Sequence, residues 1–270
     1  MSPFLLNAQA SFRLGLRTHA LRALLALGLV LIGIAFLAGA FSLRQPLVVS
    51  LDVGISGLRF LGVLLVLFWM QEAFVKDIER RTITLALAYP VRRSAYVVGR
   101  FAGVMLLIIM AVAIWAGLLY LMGKYASWGY ADSSRPVFGA GYLLVLVGVS
   151  LDLLVLGSVV LFLISASTSS LLPFLVGGAF ALAARSVGPV LDYLVLSADA
   201  DPGLKQGLLP VLAKIRWLIP DLSRLDWREI VLYGSAPVPT DILSGILIAV
   251  GYFLVMVWLA VWMYGRREIA

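Results

Sequence analysis

The residues best placed for chemistry are ionisable groups inside long apolar runs, together with one charge-dense stretch from Glu72 to Arg100. Asp152 lies within the apolar run 137–164. An ionised carboxylate at the centre of a bilayer costs about 2.5–3.5 kcal/mol on insertion scales, so Asp152 must face protein or a watery path. Two roles are open to it: a group on a translocation path, or a polar contact between helices. Asp52 and Arg59 stand two helical turns apart on one face and fit an interfacial or interhelical pair. Arg185 and Asp192 flank Gly188-Pro189 and are expected to pair across that bend.

Familiar catalytic signatures fail. Gly148-Val149-Ser150-Leu151-Asp152 begins like a nucleophile elbow but lacks the closing glycine, and there is no HExxH pair. Gly117 to Lys124 imitates a phosphate loop, yet it has the wrong glycine spacing and a tyrosine after the lysine. The chain therefore carries no nucleotide-hydrolysis motif of its own. With no cysteine, disulfides and thiolate metal sites are excluded. The single histidine, His19, sits in a basic flank and reads as a headgroup-level residue rather than a ligand.

The elements that position these groups are written for lipid. Hydrophobic residues make up 62% of the chain and charged ones 13%. A soluble domain carries about a quarter charged residues, so this is an integral membrane protein. Crossing a bilayer takes about 20 helical residues, and the lack of strand alternation leaves helices as the only way across. Six spans are predicted: Leu21–Leu43, Leu51–Phe74, Ser94–Gly123, Val137–Ile164, Leu171–Val187 and Ile242–Tyr264. The fold class is all-α, and residues 1–270 form a single transmembrane domain. The first span exceeds the h-region of a signal peptide and reads as retained. Pro173 suits a first helical turn, where its missing N–H costs nothing.

Orientation follows from lysine and arginine in the short connections. Arg13, Arg17 and Arg22 precede the first span; Lys76, Arg80, Arg81, Arg92, Arg93 and Arg100 lie between the second and third; Arg266 and Arg267 end the chain. These sides are expected in the cytoplasm, with both termini inside. The formal net charge of +7 is accounted for by this asymmetry, and no nucleic-acid partner is implied.

The 72–100 stretch reads as a hairpin. Glu72, Lys76, Glu79 and Arg80 share one helical face, while Phe74, Ile78 and Leu85 form an apolar stripe. Pro90 ends that helix, and Ser94 is placed to cap the next. Two seats are open to such a hairpin, the lipid surface anchored by Arg92 and Arg93, or a groove of a partner protein.

Thr82-Ile83-Thr84-Leu85-Ala86-Leu87-Ala88-Tyr89-Pro90-Val91-Arg92-Arg93, preceded by Glu79 and followed by Gly99-Arg100, resembles the ABC-2 type permease family. The likeness extends to the six-span plan, to Pro220-Asp221-Leu222 with Tyr233-Gly234, and to the basic Gly265-Arg266-Arg267-Glu268 end. In its late loop the chain is most similar to the branch associated with maturation of multi-copper enzymes. Arg81 stands where the family has glycine, and Arg100 where it has lysine. The resemblance implies the transmembrane subunit of an ATP-driven transporter in the bacterial cytoplasmic membrane, paired as a homodimer and exporting an unidentified substrate. A separate cytoplasmic ATPase subunit would hold ATP and Mg, with no cofactor in this chain. It makes Glu72, Lys76, Asp77, Glu79, Arg80, Thr82, Pro90 and Arg93 the coupling interface to that ATPase. Two other classes share the topology: a proton-coupled secondary transporter working through Asp152, and a membrane scaffold without transport.

The longest non-spanning stretch, 196–240, repeats Leu204, Leu208, Val211, Leu212, Ile215 and Leu218 at helical spacing before Ile219-Pro220 breaks it. Ser223 with Asp226 resembles a capping box for a second short helix bearing Trp227, Ile230 and Val231. This stretch has three roles open to it: lying on membrane lipid, capping the permease, or receiving an extracytoplasmic partner. Gly99 and Gly103, at GxxxG spacing, predict close helix packing within the chain rather than a dimer seam. Ser165–Ser170 predicts a tight turn.

Overall fold

In the computed structural model the described residues are 3–17, 19–75, 93–126, 138–167, 169, 171–196, 218–235 and 238–266, with single positions at 203, 207, 210, 211 and 214. They form α1 (Pro3–Arg17), α2 (His19–Phe41), α3 (Pro46–Met70), α4 (Arg93–Tyr125), α5 (Ala140–Ala166), α6 (Leu172–Leu196), α7 (Arg228–Tyr233) and α8 (Pro239–Arg266). A π-helical turn, Gln71–Val75, extends α3, and a 3₁₀ turn, Leu222–Leu225, precedes α7. Six of the helices are long and apolar enough to cross a membrane.

The predicted spans coincide with α2, α3, α4, α5, α6 and α8. The fifth runs further than expected, with Pro189 inside α6. One element was missed altogether. α1 was read as basic flank, because Arg13 and Arg17 mask a helix whose small residues form its buried stripe. Its seat is the glycine pair of α4: a Cβ on Gly99 would lie 2.7 Å from Phe4 O, and one on Gly103 would lie 2.4 Å from Ala8 O. The GxxxG spacing thus serves packing within the chain, with α1 running parallel to α4. Ser94, expected as the cap of this helix, lies inside its first turn, because α4 already begins at Arg93.

Helices α3, α4 and α5 form the centre. Leu51, Leu61, Leu65, Leu107, Ile108, Leu153 and Leu156 are fully enclosed there. A Cβ on Gly54 would strike Leu119 of α4 and one on Gly62 would strike Leu153 of α5, so both helices lie close against α3. Tyr142 donates to Ala116 O at 2.7 Å, tying the start of α5 to α4 within a cluster of Tyr120, Phe138 and Tyr142 rings. By contrast α2, α6 and α8 are outer helices. Leu243, Leu247, Leu254 and Trp258 of α8 are exposed, as an apolar surface against lipid should be.

The bundle has a near end, where α3 stops and α4 starts, and a far end carrying residues 218–235. Inside the helices Ser150, Ser158, Ser165 and Ser186 turn their hydroxyls back onto carbonyls three or four residues earlier, leaving no nucleophile poised among them. Ser167 accepts from the Ser169 N–H at 3.0 Å in the turn after α5.

Candidate functional site

The ionisable groups of the spans come together around the segment 221–228. Asp221 opens it, its carboxylate accepting from the Ser223 N–H at 3.1 Å and so capping the 3₁₀ turn. Leu222 and Leu225 are buried in the bundle, and two glycines make room for the chain. A Cβ on Gly148 would lie 2.4 Å from Leu225 O, and one on Gly188 would lie 2.5 Å from the Asp221 carboxylate. Gly234 then ends α7 at φ 66°, in the left-handed region glycine enters freely. The segment is a re-entrant loop, dipping between α3, α5 and α6 instead of lying across their ends.

From well inside α3, Arg59 reaches this loop. Its Nη2 donates to Leu225 O at 2.8 Å, and its Nη1 stands 2.9 Å from Asp226 Oδ2. Asp226 also accepts from Arg228 through Nε at 2.8 Å and through Nη2. Arg228 Nη1 in turn bridges Asp52 Oδ1 at 2.9 Å and Ser56 Oγ at 2.8 Å. Deeper in the wall, Arg185 grips Asp152 Oδ2 with Nε at 3.1 Å and Nη2 at 2.7 Å while its Nη1 donates to Ala181 O at 3.1 Å.

Three expected pairings are thereby corrected. Asp52 and Arg59 share a face of α3 but do not pair; two turns put them about 10 Å apart, and each finds a partner on the re-entrant loop. Arg185 turns to Asp152 rather than Asp192, because a carboxylate at 0% exposure needs a counter-charge more than one at the helix end does. The Ser223–Asp226 capping box is replaced by an Asp221 cap, which frees the Asp226 carboxylate for arginine.

Electrostatically the cluster closes on itself, since Asp52, Asp152 and Asp226 face Arg59, Arg185 and Arg228. Burial opposes ionisation of Asp226, but hydrogen bonds from Arg228 and the charges of Arg59 and Arg228 outweigh it, holding the carboxyl below its usual range. Arg228 is held above its ordinary value, chiefly by its hydrogen bond to Asp226, against the effect of burial.

Beside the cluster lies a cavity of about 510 Å³ between α3, α6 and the re-entrant loop. Arg59, Arg185 and Arg228 line its polar end, and Val63, Leu64 and Gly178 its apolar end.

At the near end a second arrangement joins the roots of the 76–92 segment. The π-helical turn of α3 leaves Ala73 O to accept from Arg100 Nε at 2.7 Å, and the guanidinium lies over the rings of Phe74 and Tyr96. Arg100 also donates to Tyr96 Oη at 3.1 Å. Of the expected coupling residues, Glu72 lies in the π turn and Arg93 opens α4. Lys76, Asp77, Glu79, Arg80, Thr82 and Pro90 lie outside the described residues, as does most of the helical pattern expected over 204–218.

The arginine that sequence reasoning did not single out is Arg228, which joins Asp226 to Asp52 and Ser56. Its signal was indirect: Asp52 and Asp152 lie in apolar runs, where a carboxylate calls for a counter-charge.

Among curated proteins no significant relative is found. The family model described as ABC-2 family transporter protein matches residues 55–269, from the third turn of α3 to beyond α8. That match takes in the cluster of three arginines and three aspartates apart from Asp52, the cavity beside it and both roots of the 76–92 segment. With most of its length covered, this chain belongs to the ABC-2 family of transporter proteins.

Proposed function

We propose that the chain is the permease subunit of an ATP-driven exporter in the bacterial cytoplasmic membrane, two copies pairing with two separate cytoplasmic ATPase subunits. The family match over residues 55–269 carries this reading. The near end is then cytoplasmic, as the arginine-rich connections require, with both termini on that side. Glu72, Lys76, Asp77, Glu79, Arg80, Thr82, Pro90 and Arg93 form the surface that meets the ATPase. Arg100 supports this assignment, because by bonding Ala73 O it joins α3 to α4, so a push on the 76–92 segment moves both helices together. ATP and Mg belong to the partner subunit. Asp152 serves as the interhelical counter-charge of Arg185 rather than a proton carrier, since Arg185 donates to its Oδ2 through both Nε and Nη2.

Native extraction followed by mass spectrometry tests the assembly. The expected species holds two copies of this chain and two of an ATPase. A complex that carries no ATPase subunit, from membranes where the chain is expressed at natural level, would sink the reading.

A further inference from the structure

We propose that the cavity between α3, α6 and the re-entrant loop binds an anionic amphiphile taken from the membrane, a long apolar chain ending in a carboxylate or phosphate. Only the purpose of binding, delivery of a substrate, rests on the transporter reading above; the binding itself stands on the cavity.

Its size, about 510 Å³, falls within the roughly 300–1,000 Å³ of small-molecule sites. Its polarity is graded from end to end. Leu67, level with Gly177 and Val160, marks the apolar end. Eight residues further along each of these helices, about 12 Å toward the far end, stand Arg59, Arg185 and Asp152. Such a trough matches a molecule with one charged end and one apolar end. A protein helix facing this depth of membrane would instead be apolar along its length.

The sign of the charged end is set by which groups form the wall. Three arginines and a single aspartate, Asp226, line the cavity, whereas Asp152 is fully enclosed behind Arg185 and Asp52 lies beyond Arg228. A guanidinium has five N–H donors. Arg185 commits Nε, one Nη1 hydrogen and one Nη2 hydrogen to Asp152 and Ala181, and its side chain is still 22% exposed. Two N–H groups of Arg185 are thus left for an acidic headgroup, which a neutral or cationic one cannot match. Access is lateral. Phe60 and Leu182 line the cavity and are 62% and 73% exposed on spanning helices, so the mouth faces the hydrocarbon and admits a molecule already dissolved there.

The test uses the native complex in nanodiscs of phosphatidylcholine, with a fluorescent polyene fatty acid as reporter. Hexadecanoic acid and hexadecyl phosphate should displace the reporter at concentrations about tenfold below hexadecanol, the difference expected of one charge-assisted hydrogen bond, and hexadecyltrimethylammonium should not displace it. Gly178→Leu should abolish reporter binding, because a Cβ there meets nothing nearer than Leu67 Cδ1 at 3.7 Å and the added side chain enters the cavity without touching the ion pairs. Arg185→Lys keeps the counter-charge of Asp152 but removes the spare donors, and should bring acid and alcohol together. Equal displacement by acid and alcohol in the unaltered protein, or undiminished binding in Gly178→Leu, would overturn the proposal. So would disulfide linkage of two Phe60→Cys chains in the native complex, which would show a second copy filling the mouth. Reporter binding with ATP hydrolysis unmoved by the acid would leave the site standing and remove only its role in transport.

Discussion

One guanidinium, that of Arg59, holds two consecutive residues of the re-entrant loop: it donates to Leu225 O at 2.8 Å and pairs with Asp226 at 2.9 Å. Because Arg59 sits 7% exposed in the interior of α3, this pair fixes how deeply the loop enters the bundle. Removing it strands both a carbonyl and part of a carboxylate's counter-charge.

Arg59→Met should therefore destabilise the protein by about 3–5 kcal/mol, the usual cost of breaking one side of a buried pair. Thermal unfolding in detergent measures this. Arg59→Met with Asp226→Asn should recover part of the loss, whereas two independent losses would add.

For the deeper pair, Asp152→Asn leaves Arg185 without its counter-charge. Adding Arg185→Gln should restore stability above that of the single variant, with a coupling of about 0.5–3 kcal/mol. Substrate movement should survive in Asp152→Asn, because the amide keeps an acceptor for Arg185. Transport driven by a pH gradient without ATP, and lost in Asp152→Asn, would instead assign the residue to proton carriage.

Acid should loosen the re-entrant loop. The folded-state pKa of Asp226 lies below its unfolded value of about 3.9, so its contribution is complete above that value and is lost as pH falls through the folded one. Arg228 shifts the opposite way, so its contribution persists through neutral pH and fails only in strong base. Unfolding temperatures measured from pH 7 down to pH 3 should drop most steeply below about pH 4, and less steeply in Asp226→Asn.

At the near end, Arg100→Ala should lower the ATP turnover of the assembled complex with little change in assembly, because it unlinks the roots of the 76–92 segment. Arg100→Lys keeps a donor for Ala73 O and should retain more activity than alanine. Equal turnover in all three proteins would show that the clamp plays no part in coupling.

The spans were legible because each is long and almost free of charge, a signal that needs no tertiary information. Asp152 was legible as an anomaly for the same reason. Its partner was not, since Arg185 has Asp192 near it in sequence and Asp152 only in space. The re-entrant loop was hidden by its composition: Ser223 with Asp226 resembled a capping box of a short helix, and Gly148 and Gly188 on other helices mark where the chain enters. Helix α1 escaped because its buried stripe is made of small residues that carry little apolar signal, although its receptor, Gly99 and Gly103, was visible.

The even balance of Asp52, Asp152 and Asp226 against Arg59, Arg185 and Arg228 has an electrical meaning. A membrane potential does work of about 2.3 kcal/mol on each elementary charge carried through 100 mV, but none on a rigid group whose charges sum to zero and that shifts without turning. As long as the six residues shift together in this way, the cluster itself adds no voltage dependence to a rearrangement of the permease. Voltage would act on the cluster at a step that parts one of its ion pairs, such as Asp152 from Arg185.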